Sequence, residues 1–284
     1  MFKPELLSPC GTMESLRAAV NNGADAVYLG GKKFGARKYA GNFSTEEIKE
    51  ACDYCHVRGV KVYVTVNTLY KDAELKPFIN FVKELYMIGI DALIVQDTGA
   101  ANLIKRSFPD MKINASTQLT ANTADDVNFL KNNGFDKVIL SRELTLDEIR
   151  HIRENTAAEI ECFVHGALCV SYSGQCIMSS MLGGRSGNRG CCAQTCRLPY
   201  ELYKGYEKVS SGYLMSPKDI ETIEILPELI EAGINSFKIE GRMKNSEYVA
   251  GVTAVYRKYI DMYFDNPEEY KVDKNDIKVL TQLF

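Results

Sequence analysis

A (β/α)8 barrel of the TIM type is the fold this sequence predicts. Three observations carry it. The chain has 284 residues and is 45% hydrophobic, which suits one large α/β domain. Five times a helix-like segment ends in Gly, and after one residue and a polar one an apolar run begins. Helix-like and strand-like segments then alternate until each has occurred eight times. Pattern alone does not show closure, so an open doubly wound sheet is the alternative.

The five repeats are "GADAVYL" at Gly23, "GVKVYVTV" at Gly59, "GIDALIV" at Gly89, "GFDKVIL" at Gly134 and "GINSFKI" at Gly233. Glycine tolerates the left-handed conformation that ends a helix. The apolar runs lack clean alternation, as in strands buried on both faces of a parallel sheet. "ELLS" (5–8), "KINAS" (112–116) and "AEIECFV" (158–164) complete the strand count. The predicted order is strand 5–8, helix 12–22, strand 25–29, helix 45–58, strand 60–66, helix 72–88, strand 91–95 and helix 98–107. It continues with strand 112–116, helix 122–133, strand 136–141, helix 145–155 and strand 158–164. A long insertion follows, then helix 217–232, strand 235–239 and helix 245–264. "STEE" at Ser44 and "TLDE" at Thr145 are capping boxes, and "SPKD" at Ser216 puts Pro217 at a first helical position. Residues 1–270 read as one barrel domain that includes a Cys-rich insertion at 165–212. Residues 271–284 read as the start of a C-terminal extension, because the chain stops inside the helix-like "DKNDIKVLTQLF".

Chemistry in such barrels sits at the C-terminal strand ends. The polar groups there include Lys32, Asn67, Gln96, Gln118, Arg142, His165, Glu240 and Arg242. Asn67, Gln96 and Gln118 are amides, which both donate and accept and so suit the edge of a base. Arg242 follows the last strand and is assigned as a carboxylate anchor, with Arg142 as its backup. His165 is the acid–base candidate, because it is the one mouth group expected to titrate near neutrality. An equal reading makes it a histidine that orients the cysteine loop.

Nine cysteines in a chain without a signal peptide core or an apolar run long enough to span a bilayer do not form a disulfide framework. The expected compartment is the cytoplasm. Cys52 and Cys55 share a helix face with Ile48 and read as core residues, as do Cys162 inside its strand and Cys10. The other five fall within 28 residues of the insertion. Cys169, Cys176, Cys192 and Cys196 are separated by six, fifteen and three residues, and Cys191 adjoins Cys192. Adjacent cysteines rarely both ligate one centre, so one of that pair is a bystander. A sulfur-only set suits zinc or an iron–sulfur cluster. The six-residue gap is too wide for a zinc knuckle, which favours the cluster.

Net charge is −3, so there is no global basic signature for nucleic acid. Local charge differs: Lys32, Lys33, Arg37, Lys38, Arg185, Arg189, Arg197, Arg242 and Lys244 all follow strand ends and would gather on one rim. Tyr39, Tyr172 and Tyr200 interleave with them and could stack bases. The arginines equally suit a dicarboxylate ligand or the folding of loops.

"ECFVHGALCVSYSGQCIMS" resembles the signature of the U32 (collagenase-like) peptidase family, through Glu161, Phe163, Gly166, Cys169, Gly174, Cys176 and Ser179. "GNRGCCAQTCR", "IEGRMK", "ELLSPCG" and "DAVYLGGKKFGAR" resemble its companion motifs. Despite the name, the family includes oxygen-independent hydroxylases of a wobble tRNA uridine or a ribosomal RNA base, and relatives act in ubiquinone synthesis. The resemblance implies a [4Fe–4S] cluster on Cys169, Cys176, Cys192 and Cys196, with prephenate as hydroxyl donor and RNA (tRNA or rRNA) as partner. A tRNA uridine is the favoured substrate. Peptidase activity is the main rival, although no H-E-x-x-H occurs. His56 and His151 fall on helices and read as surface groups, which leaves His165 with Cys169 as the one nucleophilic pair that can be drawn. A non-catalytic subunit paired with a longer U32 paralogue is the third reading.

Overall fold

The computed structural model describes residues 2–37 and 40–283. Lys38 and Tyr39, read above as a rim cation and a stacking ring, lie outside the described residues. The first seven strands are β1 (Glu5–Pro9), β2 (Ala26–Gly30), β3 (Lys61–Val66), β4 (Ala92–Val95), β5 (Ile113–Ala115), β6 (Lys137–Ile139) and β7 (Glu159–Gly166). The insertion adds β8 (Tyr200–Lys204), β9 (Glu207–Gly212) and β10 (Ile220–Glu221), and β11 (Ser236–Ile239) is the eighth barrel strand. β1 to β7 pair in parallel in chain order, β7 pairs with β11, and β11 pairs with β1. That ring of parallel pairings closes the barrel and excludes the open sheet.

The two faces of each strand separate as a period of two requires. Leu7, Ala26, Tyr28, Tyr63, Ala92, Ile94, Ile139 and Phe163 form one buried cluster in the lumen. Their chain neighbours Leu6, Val27, Val62, Val64, Leu93 and Val138 belong to the larger cluster beneath the helices. The five repeat glycines all adopt positive φ, as the ends of their helices require. Both capping boxes form: Ser44 with Glu47 ahead of α2 (Thr45–His56), and Thr145 with Glu148 ahead of α6 (Leu146–Glu154). Cys52 and Cys55 are buried on α2, and burial pushes both thiols up to about 12. Cys10 and Cys162 are buried as well, while His56 and His151 are exposed. Residues 274–282 form a helix that packs on Ser246–Asp265, where Lys258 and Tyr259 both reach Asp276 at 2.7 Å. No helix among the described residues is long and apolar enough to cross a membrane.

One predicted helix is corrected. Residues 217–232 do not form a single helix with Pro217 at its start. Residues 220–221 instead make β10, antiparallel to the tip of β7, and helix is confined to a 3-10 turn and Leu226–Glu231. The Ser216 hydroxyl and the Pro217 carbonyl both accept from Arg197 at 2.7 Å. A competing side-chain partner thus takes the groups that would have started the helix.

The floor of the lumen holds a buried ion network. Glu161 is fully buried, accepts from Lys238 at 3.0 Å and lies 3.6 Å from Lys137. Glu5 pairs with Lys137 at 2.7 Å and with Lys61 at 3.0 Å, and accepts from Tyr63 at 2.8 Å. Burial alone would raise the Glu5 carboxyl, but the Lys137 ammonium and the Tyr63 hydroxyl hold it down at about 2. A depressed carboxylate stabilises the fold above its unfolded value and loses that contribution as pH falls through its folded value. Acid titration should therefore remove stability progressively between about 4.5 and about 2, followed by fluorescence or circular dichroism. Lys238→Met leaves Glu161 with a weakened partner set. It should cost about 3–5 kcal/mol in urea unfolding, whereas loss of an exposed pair such as Lys49–Asp53 should cost under about 1 kcal/mol.

Candidate active site

Above the lumen, at the C-terminal ends of the strands, lies a cavity of about 650 Å³. All four expected ligand cysteines, Cys169, Cys176, Cys192 and Cys196, line it. Cys191 does not line it, and its electrostatic neighbour is Arg189. The adjacent pair is thereby divided, with Cys192 facing the cavity.

Three tethers fold the insertion over the barrel. The first seats residues 172–175. Ser173 is fully buried, and its backbone N–H and hydroxyl both donate to Glu143 at 3.1 and 3.2 Å. Its carbonyl accepts from Thr120 at 2.6 Å. Gly174 has φ +74, and a Cβ there would lie 2.3 Å from the Gln118 carbonyl oxygen, so only glycine permits this approach. The second tether is Arg197, which donates at 2.7 Å to Leu168 just before Cys169, as well as to Ser216 and Pro217. The third is Arg189, which pairs with Glu74 at 2.6 Å and donates to the Leu69 carbonyl. Two arginines of the expected basic rim are therefore committed to loop folding.

The sulfurs have polar company. The Cys192 Sγ accepts from the Gln194 backbone N–H at 3.4 Å and the Ser179 hydroxyl at 3.9 Å. Burial raises the Cys196 thiol, nearby Cys169 and Cys192 add to the rise, and Arg197 opposes it. Four cavity thiols, one of them accepting from N–H and O–H donors, fit a group that loads negative charge onto thiolates. Among the described residues no three His, Cys, Asp or Glu side chains converge as one metal ion requires. A cubane makes no such demand, because each thiolate takes a different iron.

The other expected site residues divide. Gln118, Arg142, Arg37 and Glu240 line the cavity with the cysteines. Arg37 pairs with Glu240 at 3.7 Å; Glu240 raises the guanidinium of Arg37, against the effect of burial. Arg142 lies 5.7 Å over the Phe163 ring and makes 3.5 Å contacts to Ser173 and the Ala167 carbonyl. The Gln118 Oε1 is buried without a hydrogen-bond partner. Asn67 and Gln96 do not line the cavity. Asn67 accepts from the Ala36 N–H at 3.1 Å and donates to Ser116 at 3.3 Å, so it braces two loops. Gln96 is buried, with its Oε1 unpartnered. Lys32 and Lys33 are exposed, and Tyr172 is an exposed ring on the cavity wall. Tyr200 donates to the Thr195 carbonyl at 2.9 Å.

Arg242 lies beneath the cavity rather than on its wall. It is 4% exposed and donates to Thr65 at 2.9 Å. A Cβ at Gly30 would meet its Nη1 at 2.1 Å, so the glycine makes room for the guanidinium across the top of the lumen. Burial, then Arg37, lowers it to about 10, which still leaves it cationic at neutrality.

His165 departs furthest from expectation. The β7–β11 register shifts after the Phe163–Lys238 pair, so that Ile239 faces His165. Such a bulge re-aims the side chains that follow it. His165 is 1% exposed and lies outside the cavity lining, with ring centroids of Tyr256 and Tyr248 at 5.5 and 6.0 Å. Its Nδ1 is 3.4 Å from the Tyr256 hydroxyl. Burial, aided by Lys244, lowers it from 6.5 to about 4, so the ring is neutral at pH 7 rather than poised there. Among the cavity residues that sequence reasoning did not single out is Asp219, hidden in an "SPKD" that looked like a helix start.

Comparison with known proteins places this site. Residues 11–284 match the model of peptidase family U32. The chain is 41% identical over 286 residues to tRNA hydroxylation protein P1 of Bacillus subtilis, covering 98% of this chain and 68% of that protein. It is 47% identical over 259 residues to the 23S rRNA 5-hydroxycytidine C2501 synthase of Escherichia coli, covering 90% of this chain but 39% of that protein. Among solved structures, the U32 peptidase Mk0906 shares the fold at a TM-score of 0.55 and 14% identity, over 84% of this chain and 93% of its own. With the family model spanning nearly all of its length, the chain belongs to peptidase family U32.

Proposed function

We propose that this chain is an iron–sulfur enzyme that hydroxylates an RNA pyrimidine, with a tRNA uridine as the favoured target. The observation that carries the reading is the shared cavity: four cysteines from separate parts of the insertion line one space, and the fifth does not. Two relatives of high identity bear names of RNA hydroxylation, one on tRNA and one on 23S rRNA, which supports RNA as the substrate class. Cys169, Cys176, Cys192 and Cys196 would hold a [4Fe–4S] cluster, which when bound supplies Lewis-acid or electron-transfer chemistry. The chain's own residues then have distinct tasks. Gln118 offers an unpartnered buried acceptor to a base edge. Arg37, Arg142 and Lys244 add cationic groups to the wall, which suits a carboxylate-bearing hydroxyl donor such as prephenate. Arg242, immobilised below by Thr65, contributes fixed positive charge under the cavity floor.

The peptidase reading receives less support than the family name suggests. A Cys169–His165 pair needs both groups on one cavity, and His165 is turned toward Tyr256 instead. It also needs Cys169 free of any cluster.

Protein purified without oxygen should hold about four irons per chain. Serine at Cys169, Cys176, Cys192 or Cys196 should abolish the iron and its visible absorbance, while Cys191→Ser should keep both. Stoichiometric zinc in place of iron would overturn the cluster assignment. Deletion of the gene should remove one hydroxylated pyrimidine from total tRNA or ribosomal RNA, detected by nucleoside mass spectrometry. Wild type should restore it and Cys176→Ser should not; an unchanged nucleoside profile would sink the hydroxylase reading.

RNA affinity should fall steeply with salt, because each neutralised phosphate releases counterions. Lys32→Glu with Lys33→Glu should weaken binding and reduce the slope of log Kd against log salt by about 2. Both lysines are exposed, so the fold should be unaffected.

A further inference from the structure

We propose that Asp219 is the general base of the site, the group that takes the proton released when the pyrimidine is hydroxylated. This rests on the function proposed above and assigns a step of it to a residue. The geometry comes first. Asp219 lines the cysteine cavity, and its Oδ2 is buried with no hydrogen-bond partner. A buried carboxylate oxygen without a donor is costly, and such atoms cluster where a ligand completes the set.

The position of Asp219 is unusually well determined. Two residues before it, the Pro217 carbonyl is held by Arg197 at 2.7 Å. One residue after it, Ile220 enters the antiparallel ladder opposite Gly166. Backbone held on both sides keeps Asp219 at the cavity wall. The charged groups that act on it are Lys244 and Glu240 beyond the end of β11, and Arg197 from the insertion. Desolvation is the largest influence and raises the carboxyl above its ordinary value, while Lys244 and Arg197 oppose the rise. A carboxylate shifted upward is a stronger base than an exposed one, and this is how active sites adapt carboxylates to proton transfer.

The other cavity groups suit this task less well. His165 is off the cavity, Glu240 is paired with Arg37, Gln118 carries no exchangeable charge, and the cysteines are committed to the cluster. The step balances as follows. The C–O bond of the organic hydroxyl donor breaks and the donor keeps the electron pair, so it is reduced by two electrons, while the ring carbon uses its π pair to form the bond to the transferred oxygen. Its C–H bond then breaks, the electron pair returns to the ring, and the proton passes to Asp219 Oδ2, leaving a neutral carboxyl.

The test compares anaerobically purified wild type with Asp219→Asn and Asp219→Glu, using the RNA that accumulates unmodified in the deletion strain. The asparagine variant should retain iron and RNA affinity but lose roughly 10²–10⁴-fold in single-turnover rate. The acid limb of the pH profile, where wild type slows as Asp219 protonates, should vanish with it. Glutamate should restore part of the rate with a displaced limb. Infrared difference spectra of the wild type, taken across pH without RNA, should show a carboxyl band titrating above the ordinary aspartate range that is missing in Asp219→Asn. An asparagine variant with wild-type rate and pH profile overturns the assignment. So does one that loses its iron, which would make Asp219 a structural tether, or a wild type in which no such band titrates. If wild type hydroxylates no RNA, the function proposed above fails and the base assignment is overturned with it, whereas hydroxylation by wild type with an unaffected asparagine variant overturns the assignment alone.

Discussion

Everything at the mouth of this barrel depends on how the insertion is tied down. Four cysteines spread over 28 residues share a cavity because Ser173, Arg189 and Arg197 each fasten a different part of the loop to the rim. Each tether is a charge-assisted contact that is at least partly shielded from water, where such bonds hold geometry best. Arg197 is the most consequential. It joins the residue before Cys169 to the segment before Asp219, so one guanidinium spaces that cysteine against the proposed base. The chain thereby brings four thiols from separate parts of one insertion to the wall of one cavity.

The lumen beneath is layered by chemistry. At the floor, two glutamates and two lysines neutralise one another. Above them are aromatic side chains, with Lys238 reaching to within 4.4 Å of the Tyr28 ring centroid. At the top Arg242 spans to Thr65 across the space left by Gly30. A charged floor is expensive to bury and stabilises little in net terms. Its physical consequence is rigidity: every strand end that supplies it is locked in register by at least one buried ion pair. The strands deliver their opposite ends to the cavity, so order at the floor becomes placement at the mouth.

Charge is used locally rather than globally. A net charge of −3 conceals a rim where some cations fold the loop, some line the cavity, and Lys32 and Lys33 remain exposed. The same residue type thus serves three ends, and burial and partners separate them. Arg189 has a carboxylate, Arg242 a hydroxyl under the floor, and Arg142 an aromatic ring beneath it.

Local sequence was enough for the alternation of strands and helices, because glycine-ended helices and doubly buried strands are patterns written in consecutive residues, while closure of the barrel came from the pairing of β11 with β1. It also set Cys169, Cys176, Cys192 and Cys196 apart as a group, because they fall in one glycine-rich insertion, whereas Cys52 and Cys55 share a helix face, Cys162 lies within a strand and Cys10 follows one. Tertiary structure decided what local pattern cannot encode. Whether Cys191 or Cys192 faces the cavity depends on how the loop turns over the barrel. The seat of His165 depends on one extra residue in β7 relative to β11, a pairing between strands more than 70 residues apart in the chain. At "SPKD" the Arg197 guanidinium holds the Ser216 hydroxyl and the Pro217 carbonyl, and no helix starts there. That contact carried Asp219 to the cavity wall. Each of these outcomes rests on a partner distant in sequence, and the energy of such a partner enters only when the chain has folded around it.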